Sequence, residues 1–476
     1  MTVTEFPPSE RVNLFGNLSR GEVIGAGAAT FTFGAGIALG RLLVAVVIVA
    51  VTLVWTFTPN RRRPLRVIVP AALRWRLRRD KVWSAPIRGV HGAPRFLRGV
   101  EVLLAASDDD AAAVGVVAYR RAYTVMFRVD RPSMTFASDT EQASVFASWG
   151  EVLGSLCVER NTELTAERIG WTDVHRAADP AALVRYHEQR GVAGPASDDY
   201  QEYLAGFGSL AAEHEVLVWA TVTQAGRFRL AKRAGLGGSA VEVMTAAAAR
   251  VGHGVRAELA DRGFRVGQLL APAEIGRLVS HIVDPYRPAE PTTRRERFGL
   301  ADRLAPDQVT SQRDVVIVDR AFHRVFAVGF PTVPVALSWM WKPLSVDGPK
   351  VVTTVFEPVA PSRADRQRNA RRSIGSRNNQ SAAREGDGHV QVRNMKKVDA
   401  LLRAEAAVSD GHQELDAYTL VVISAASRDE LDARCHALRR RLREAGRATV
   451  RELSGEHDFG LAAALPLGVH VAAANT

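Results

Sequence analysis

Two spacings of apolar residues organise most of the chain. Val114–Val129 reads VGVVAYRRAYTVMFRV, and the break at Arg120-Arg121 predicts two strands about a short turn. Glu215–Thr223, Phe264–Leu270, Val315–Val318, Val325–Phe330, Lys350–Val359, Ala417–Ser424 and Ala448–Leu453 read as further strands, and Thr165–Val174 is strand-like. Helical spacing marks a segment capped by Ser138-Asp139 and running to about Cys157, then segments near 180–192, 198–213, 239–262, 272–283, 395–407 and 428–445. Ser427 and Glu430 have the spacing of a capping box. Leu431, Cys435, Leu438 and Leu442 share one helical stripe, which predicts a buried, reduced thiol at Cys435. Strands alternating with helices, often as hairpin pairs, predict an α+β fold of layered domains with a mixed or antiparallel sheet. The Pro-rich polar stretch 286–312 breaks the pattern, so the expected domains are 101–290 and 291–476.

A different pattern precedes them. Val23–Thr58 carries a single charge, Arg41, and is too long for one bilayer span of roughly 20 residues. A break at Gly40-Arg41 predicts a transmembrane helical hairpin within residues 1–60, with spans at about 21–39 and 42–58. One long tilted helix is the alternative. Arg11 and Arg20 precede the run; Arg61, Arg62, Arg63, Arg66, Arg74, Arg76, Arg78 and Arg79 follow it in a basic arm, 61–100. Basic flanks stay in the cytoplasm, so the expectation is a multi-pass protein of the cell membrane with both termini and most of the chain cytoplasmic. Leu73–Trp83 mixes Arg with two Trp, as either a helix on the inner leaflet or a solvated linker.

Charge sharpens this picture. The net charge is +11, yet residues 1–100 hold 15 basic and 4 acidic residues, while 101–476 hold 47 of each. The whole excess lies near the N-terminus, which argues against a domain that grips nucleic acid along its length. The 56 Arg against 6 Lys reflect a GC-rich genome more than a functional choice. Two cysteines, Cys157 and Cys435, cannot build a disulfide framework.

Compact catalytic motifs do not occur. The sequence lacks a phosphate-binding GxxxxGK[ST] loop, GxGxxG, HExxH, CxxC and GxSxG, so the reading is a non-enzyme without cofactor or metal. The pairs His214-Glu215 and His457-Asp458 are of a kind that arises by chance in most chains. One dense basic patch remains, 363–377, where Arg366, Arg368, Arg371 and Arg372 are the candidate partner-docking residues; a solvated loop or helix is the bland alternative.

The order of short motifs carries a resemblance. ASWGEVLGSL at Ala147–Leu156, ERIGWTDV at Glu167–Val174, EHEVLVWATV at Glu213–Val222, Asp284-Pro285-Tyr286, SWMWKPL at Ser338–Leu344 and the closing GEHDFGLAAALPLG follow the expected hairpin. Over nearly its full length the chain resembles a family of actinobacterial membrane proteins of conjugative and integrative elements. These look like a PrgI-like two-helix membrane subunit fused to the N-terminal, non-motor domain of a TraC-like type IV secretion ATPase. The resemblance implies a structural inner-membrane subunit, partnered by the lipid bilayer, by other membrane subunits and by a separate secretion ATPase, with self-association compatible. It implies no catalytic residue. In such ATPases a Leu-Pro turn leads into the motor; the expectation here is that Phe459–Leu467 instead fixes the last strand and helix. A type VII secretion core subunit and a membrane-anchored enzyme are the competing readings.

Overall fold

The computed structural model describes residues between 82 and 358 and between 415 and 469, with interruptions, plus strand pieces at 3–4, 13–15 and 18–19. Residues 20–81, most of 178–211, 287–305 and 359–414 lie outside that description. The chain divides into two compact units. One comprises 1–4, 79–358 and 415–475; the other comprises 5–78, 359–414 and 476. In the second unit only the hairpin of β2 (Asn13–Phe15) and β3 (Leu18–Ser19) is described. In the first, β1 (Val3–Thr4) pairs with β14 (Val335–Ala336).

The remainder of the first unit is built on one 13-stranded sheet. Its first half contributes β5 (Val100–Ala105), β6 (Val114–Tyr119), β7 (Ala122–Asp130), β8 (Arg168–Ala177), β9 (Ala212–Thr223) and β10 (Arg265–Leu269). Among the described residues four helices accompany them: α1 (Asp139–Val158), α2 (Gln224–Arg233), α3 (Ala240–Asp261) and α4 (Pro272–Val283). The second half contributes β11 (Gln308–Ser311), β12 (Val316–Val318), β13 (Ala321–Gly329), β15 (Lys350–Pro358), β16 (Leu415–Ala425) and β17 (Thr449–Glu452), with α5 (Arg428–Glu444) and α6 (His457–Ala464). β4 (Val82–Ser84) extends the edge beyond β11.

The halves follow one plan. The strand order is β5-β6-β7-β9-β8 in the first and β11-β12-β13-β16-β15 in the second. In each, the last strand returns to the far end of the long hairpin strand: β10 on β7 near Asp130, β17 on β13 near Gly329. In each, a helix precedes that returning strand and another follows it. The halves join edge to edge where β8 and β15 pair antiparallel, from Ile169↔Phe356 to His175↔Lys350. All the pairings are antiparallel, so alternate side chains face opposite layers. Following the register places Val125, Ala220, Ile169, Phe356, Val421 and Ile423 on one face, covered by α1, α3 and α5. Trp219, Val174, Val351, Leu420 and Val422 lie on the other, under α4 and α6.

Local chemistry explains the elements. α3 starts at a complete capping box: Glu242 N–H donates to Ser239 Oγ at 3.3 Å and Ser239 N–H to Glu242 Oε2 at 2.8 Å. At α5, Glu430 N–H donates to Ser427 Oγ, but the Glu430 carboxylate reaches back to Ala426 N–H instead. Leu431, Cys435, Leu438 and Leu442 are all buried on the sheet side of α5. The run after α6 closes over both halves. Thr353 Oγ1 donates to Ala464 O at 2.6 Å, and Arg168 Nη1 donates to Gly468 O at 3.0 Å. Gly468 has φ +66 and sits so close to Thr124 and Thr221 that a Cβ there would lie 2.1 Å from Thr124 Oγ1. The closing run is thus spent on core packing, with Leu461, Leu465 and Leu467 fully buried and Phe459 turned out.

Several expectations need correction. The expected fold class, a transmembrane hairpin followed by layered α+β domains, gives way to one large antiparallel sheet with few helices. The pairing of β8 with β15 makes strands on both sides of residue 290 members of the same sheet. Among the described residues no helix is long and apolar enough to cross a membrane. The two longest, α3 with 22 residues and α1 with 20, have the length. Their composition does not fit: α3 carries Glu242, Arg250, Arg256, Glu258 and Asp261 opposite its buried stripe, and α1 carries Asp139, Glu141 and Glu151. The expectations of a membrane protein and of a multi-pass location in the cell membrane are corrected on this finding. The expected spans at 21–39 and 42–58 lie outside the described residues. Sequence reading also missed α2, and β5 and β11, whose short runs carry weak alternation.

Candidate functional site

The strongest concentration of chemistry on the sheet lies at the seam between the halves. β8 reads Trp171-Thr172-Asp173-Val174-His175, and alternation sends Trp171, Asp173 and His175 to one face. β9 pairs with β8 so that His214 lies directly opposite His175. Asp173 Oδ1 stands 2.9 Å from His214 Nε2, and its Oδ2 accepts from Trp171 Nε1–H at 2.9 Å. The imidazoles of His175 and His214 stack with centroids 4.2 Å apart and an interplanar angle of 33°. One ligand-type atom from each of Asp173, His175 and His214 falls within 4.8 Å of the others.

The site is graded in depth. The Asp173 side chain is 7% exposed and that of His214 is 36% exposed. A carboxylate this deep is costly unless paired, and Trp171 and His214 supply the pairing. Trp171 is itself held by Trp149 of α1, edge-to-face at 5.0 Å, and Trp149 touches Phe356 of β15. Lys350 lies opposite His175 in the register, but its ammonium turns to the carbonyls of Val346 at 2.5 Å and Gly348 at 3.4 Å. Burial brings the Lys350 ammonium down to about 8, with Asp347 opposing the shift and Arg434 adding to it. Arg176, one residue further along β8, points to the opposite face and meets His281 Nδ1 of α4 at 2.7 Å.

The sequence pair His214-Glu215 does not act as a pair, because neighbouring strand residues face opposite layers. His214 takes Asp173, while Glu215 takes Arg128, which also reaches Glu274 at 3.0 Å. Burial would raise the Glu274 carboxyl, yet the Ala271 N–H and Arg128 outweigh it and hold the group below its ordinary value. The signal that could have found the cluster was the W-x-D-x-H alternation within β8.

The second half holds a charge network beneath α5, buried at Arg324, nearly buried at Glu452 and open to solvent at Asp432. Arg324 donates to Asp432 Oδ1 at 2.7 Å and to the Asp314 carbonyl at 2.8 Å, with Glu452 at 3.8 Å. Arg439 also pairs with Glu452, and His457 Nε2 lies 3.7 Å from it. Burial would raise the Glu452 carboxyl, but His457, Arg324 and Arg439 together hold it below its usual range. His457 Nδ1 accepts the Val325 N–H at 3.1 Å at the first turn of α6, a structural task that uses the second sequence pair. Burial pushes the Cys435 thiol up to about 11, an inert thiol despite Arg324 and Arg439 nearby.

The candidate residues singled out from the sequence fall outside the described structure. Arg61, Arg62, Arg63, Arg66, Arg74, Arg76, Arg78 and Arg79 lie outside the described residues, as do Arg366, Arg368, Arg371 and Arg372. No protein-family model matches the chain, and no curated protein matches it.

Proposed function

We propose that the chain is a non-catalytic assembly subunit of a conjugative, type IV-like secretion machine, serving as a docking platform for a separate secretion ATPase. The observation that supports this most is the duplicated sheet. Two copies of one strand plan join through β8 and β15 into a single hydrogen-bonded body, and the run to Gly468 stitches them further. Such a body suits holding partners in fixed register. Three of its buried ionisable groups, Arg324, His323 and Lys350, make internal bonds. The order of short motifs that resembles the non-motor part of a secretion ATPase supports the same reading. Without a phosphate-binding loop in the sequence, the energy would come from the partner.

The test is reconstitution of the full chain with the secretion ATPase encoded beside its gene. A saturable complex is expected, with no ATP turnover by the chain alone. Changing Arg366, Arg368, Arg371 and Arg372 to Ser is expected to slow association and weaken its salt dependence. ATP turnover that follows the chain through purification, or failure of the two proteins to associate at micromolar concentration, would overturn the platform.

A further inference from the structure

We propose that Asp173, His175 and His214 form a binding site for one borderline divalent metal ion of the zinc class, at the seam where the halves of the sheet meet. The donor set is a carboxylate and two imidazoles, which suits zinc, cobalt or nickel and disfavours magnesium and calcium, whose ligands are almost entirely oxygens. Three features beyond composition carry it.

First, the donors come from two adjacent, hydrogen-bonded strands in the interior of the sheet, so their backbones are fixed. Asp173 and His175 stand two residues apart on β8, and His214 is His175's direct partner on β9. Second, the carboxylate is oriented from behind. Trp171 Nε1–H holds Oδ2 at 2.9 Å and leaves Oδ1 aimed at His214, the outer-layer support that metal-binding carboxylates use. Third, the spacing is close to what a metal needs. The three donor atoms lie within 4.8 Å of one another. Bonds of about 2.0–2.2 Å in a tetrahedron put ligand atoms about 3.3–3.6 Å apart. The His214 and Asp173 donor atoms already stand 2.9 Å apart, and His214, the most exposed of the three, has room to move as His175 closes on the ion. Three protein donors leave a fourth position for water or for a donor from a partner.

The neighbouring cations do not fill the site. The Lys350 ammonium is committed to the Val346 carbonyl, and Arg176 faces the opposite layer. In the structure the same atoms make a direct His214–Asp173 contact, so a metal would replace that contact rather than add to an unoccupied pocket.

The test uses the full chain made without a histidine tag, stripped with a chelator, and titrated with Co2+ and Zn2+ near pH 7.5. The expected result is one equivalent bound. The Co2+ form should show the intense visible bands of a four-coordinate site, and Zn2+ should raise Tm. His214→Ala removes the exposed donor and is expected to weaken binding at least tenfold. Asp173→Asn keeps the shape and is expected to do the same. His436→Ala, which removes an exposed histidine on α5, should leave uptake unchanged. If either seam variant fails to fold, the other decides, and His175→Gln serves as a third. Absence of stoichiometric uptake by the folded wild-type chain overturns the site. So does uptake that survives both His214→Ala and Asp173→Asn. These outcomes are independent of whether the ATPase docks.

Discussion

α3 of the first half and α5 of the second cover the same face of the sheet, and each buries residues at the same spacing: 248, 252, 255 and 259 in one, 431, 435, 438 and 442 in the other. The fillings differ. α3 presents Ala248, Gly252, Val255 and Leu259 to Val125, Phe127, Val218 and Ala220, a small-residue surface that lets the helix lie close. A Cβ on Gly252 would come within 2.5 Å of Val125 Cγ2. α5 presents Leu431, Cys435, Leu438 and Leu442 together with Asp432 and Arg439, and the sheet answers with Arg324 and Glu452. One strand plan is therefore held by close apolar contact in one half and, in the other, by an ion network whose centre, Arg324 with Glu452, is largely buried. Apolar packing is sensitive to volume; a buried ion network is sensitive to the loss of one partner.

The largest expected effect follows from that network. Arg324→Met keeps much of the side-chain volume and removes the charge. Glu452 then sits 11% exposed with only Arg439 and His457 left to compensate it. Breaking a buried pair from one side costs about 3–5 kcal/mol. Urea unfolding of the variant measures it, and a loss below about 1 kcal/mol would mean the network is solvated and the contrast between the halves is false.

A second device in the same half gives a pH dependence. His323 on β13 is fully buried, with Ser424 Oγ at 2.8 Å from Nδ1 and the Val283 carbonyl at 2.8 Å from Nε2. Nε2–H donates to the carbonyl, so Nδ1 accepts from the hydroxyl and the ring is neutral. Burial lowers its pKa to about 4, with the Val283 bond opposing the shift. The folded value lies below the ordinary one of about 6.5, so the unfolded chain takes up the proton first. The contribution is intact above pH 6.5 and is lost as pH falls toward 4, by about 3 kcal/mol at that point. Carboxylates such as Glu452 also lose stability on acidification, so the test is a difference. The wild-type curve of stability against pH should be steeper between 6.5 and 4 than that of His323→Gln. Parallel curves would show that the ring is protonated without penalty.

In the first half the sensitive quantity is volume. Gly252→Ala gains helix propensity of about 1 kcal/mol, but the new methyl meets Val125 and Leu269, both buried. Overpacking costs about 1–3 kcal/mol, so a net loss of about 1 kcal/mol is expected from the denaturation midpoint. A net gain would show that α3 can lift from the sheet as easily as α5, which stands on longer side chains.

How much of this was readable in advance depended on whether a signal was local. The strands at 114–129, 215–223, 350–359 and 417–424 show their apolar pattern within a few residues, and the caps at Ser138 and Ser427 are local signals within one helical turn. The Leu431–Leu442 stripe gave the burial of Cys435 directly. The join of β8 with β15 was not legible, because pairing across about 180 residues leaves no mark in either strand. A break in regularity at 286–312 therefore suggested a division that the sheet runs across. The seam cluster was half legible: Asp173 and His175 lie in one alternating run, whereas His214 reaches them only through register. The nearby Glu215 drew attention by adjacency, though strand geometry sends it the other way. The apolar run at 21–58 satisfied a length rule for membrane spans, but length and apolarity are conditions a span must meet, not proof of one.

The smallest effect concerns a turn that both halves share. β6 and β7 are joined by Arg120-Arg121, and β12 and β13 by Asp319-Arg320; in both, the strands pair right up to the turn, Tyr119↔Ala122 and Val318↔Ala321. In both, the first turn residue is left-handed, with φ 56 at Arg120 and φ 50 at Asp319. Left-handed backbone costs a residue with a Cβ roughly 1–2 kcal/mol, less for Asp or Asn, whose short polar side chains bond locally. Asp319 has that compensation: its Oδ1 accepts from Asp307 N–H at 2.8 Å and Gln308 N–H at 2.7 Å, which also fastens β11 to the turn. Arg120 has a weaker one, its guanidinium lying over the Tyr119 ring at 5.3 Å. Arg120→Asn should therefore stabilise the chain by about 0.5–1 kcal/mol, since Asn relieves the backbone and forfeits only an exposed cation–π contact. Asp319→Ala should destabilise it, because the strain stays while two backbone donors lose their acceptor. Opposite signs in the two thermal midpoints are the expected outcome. The same sign in both would mean that backbone strain, rather than the bonds that answer it, governs both turns.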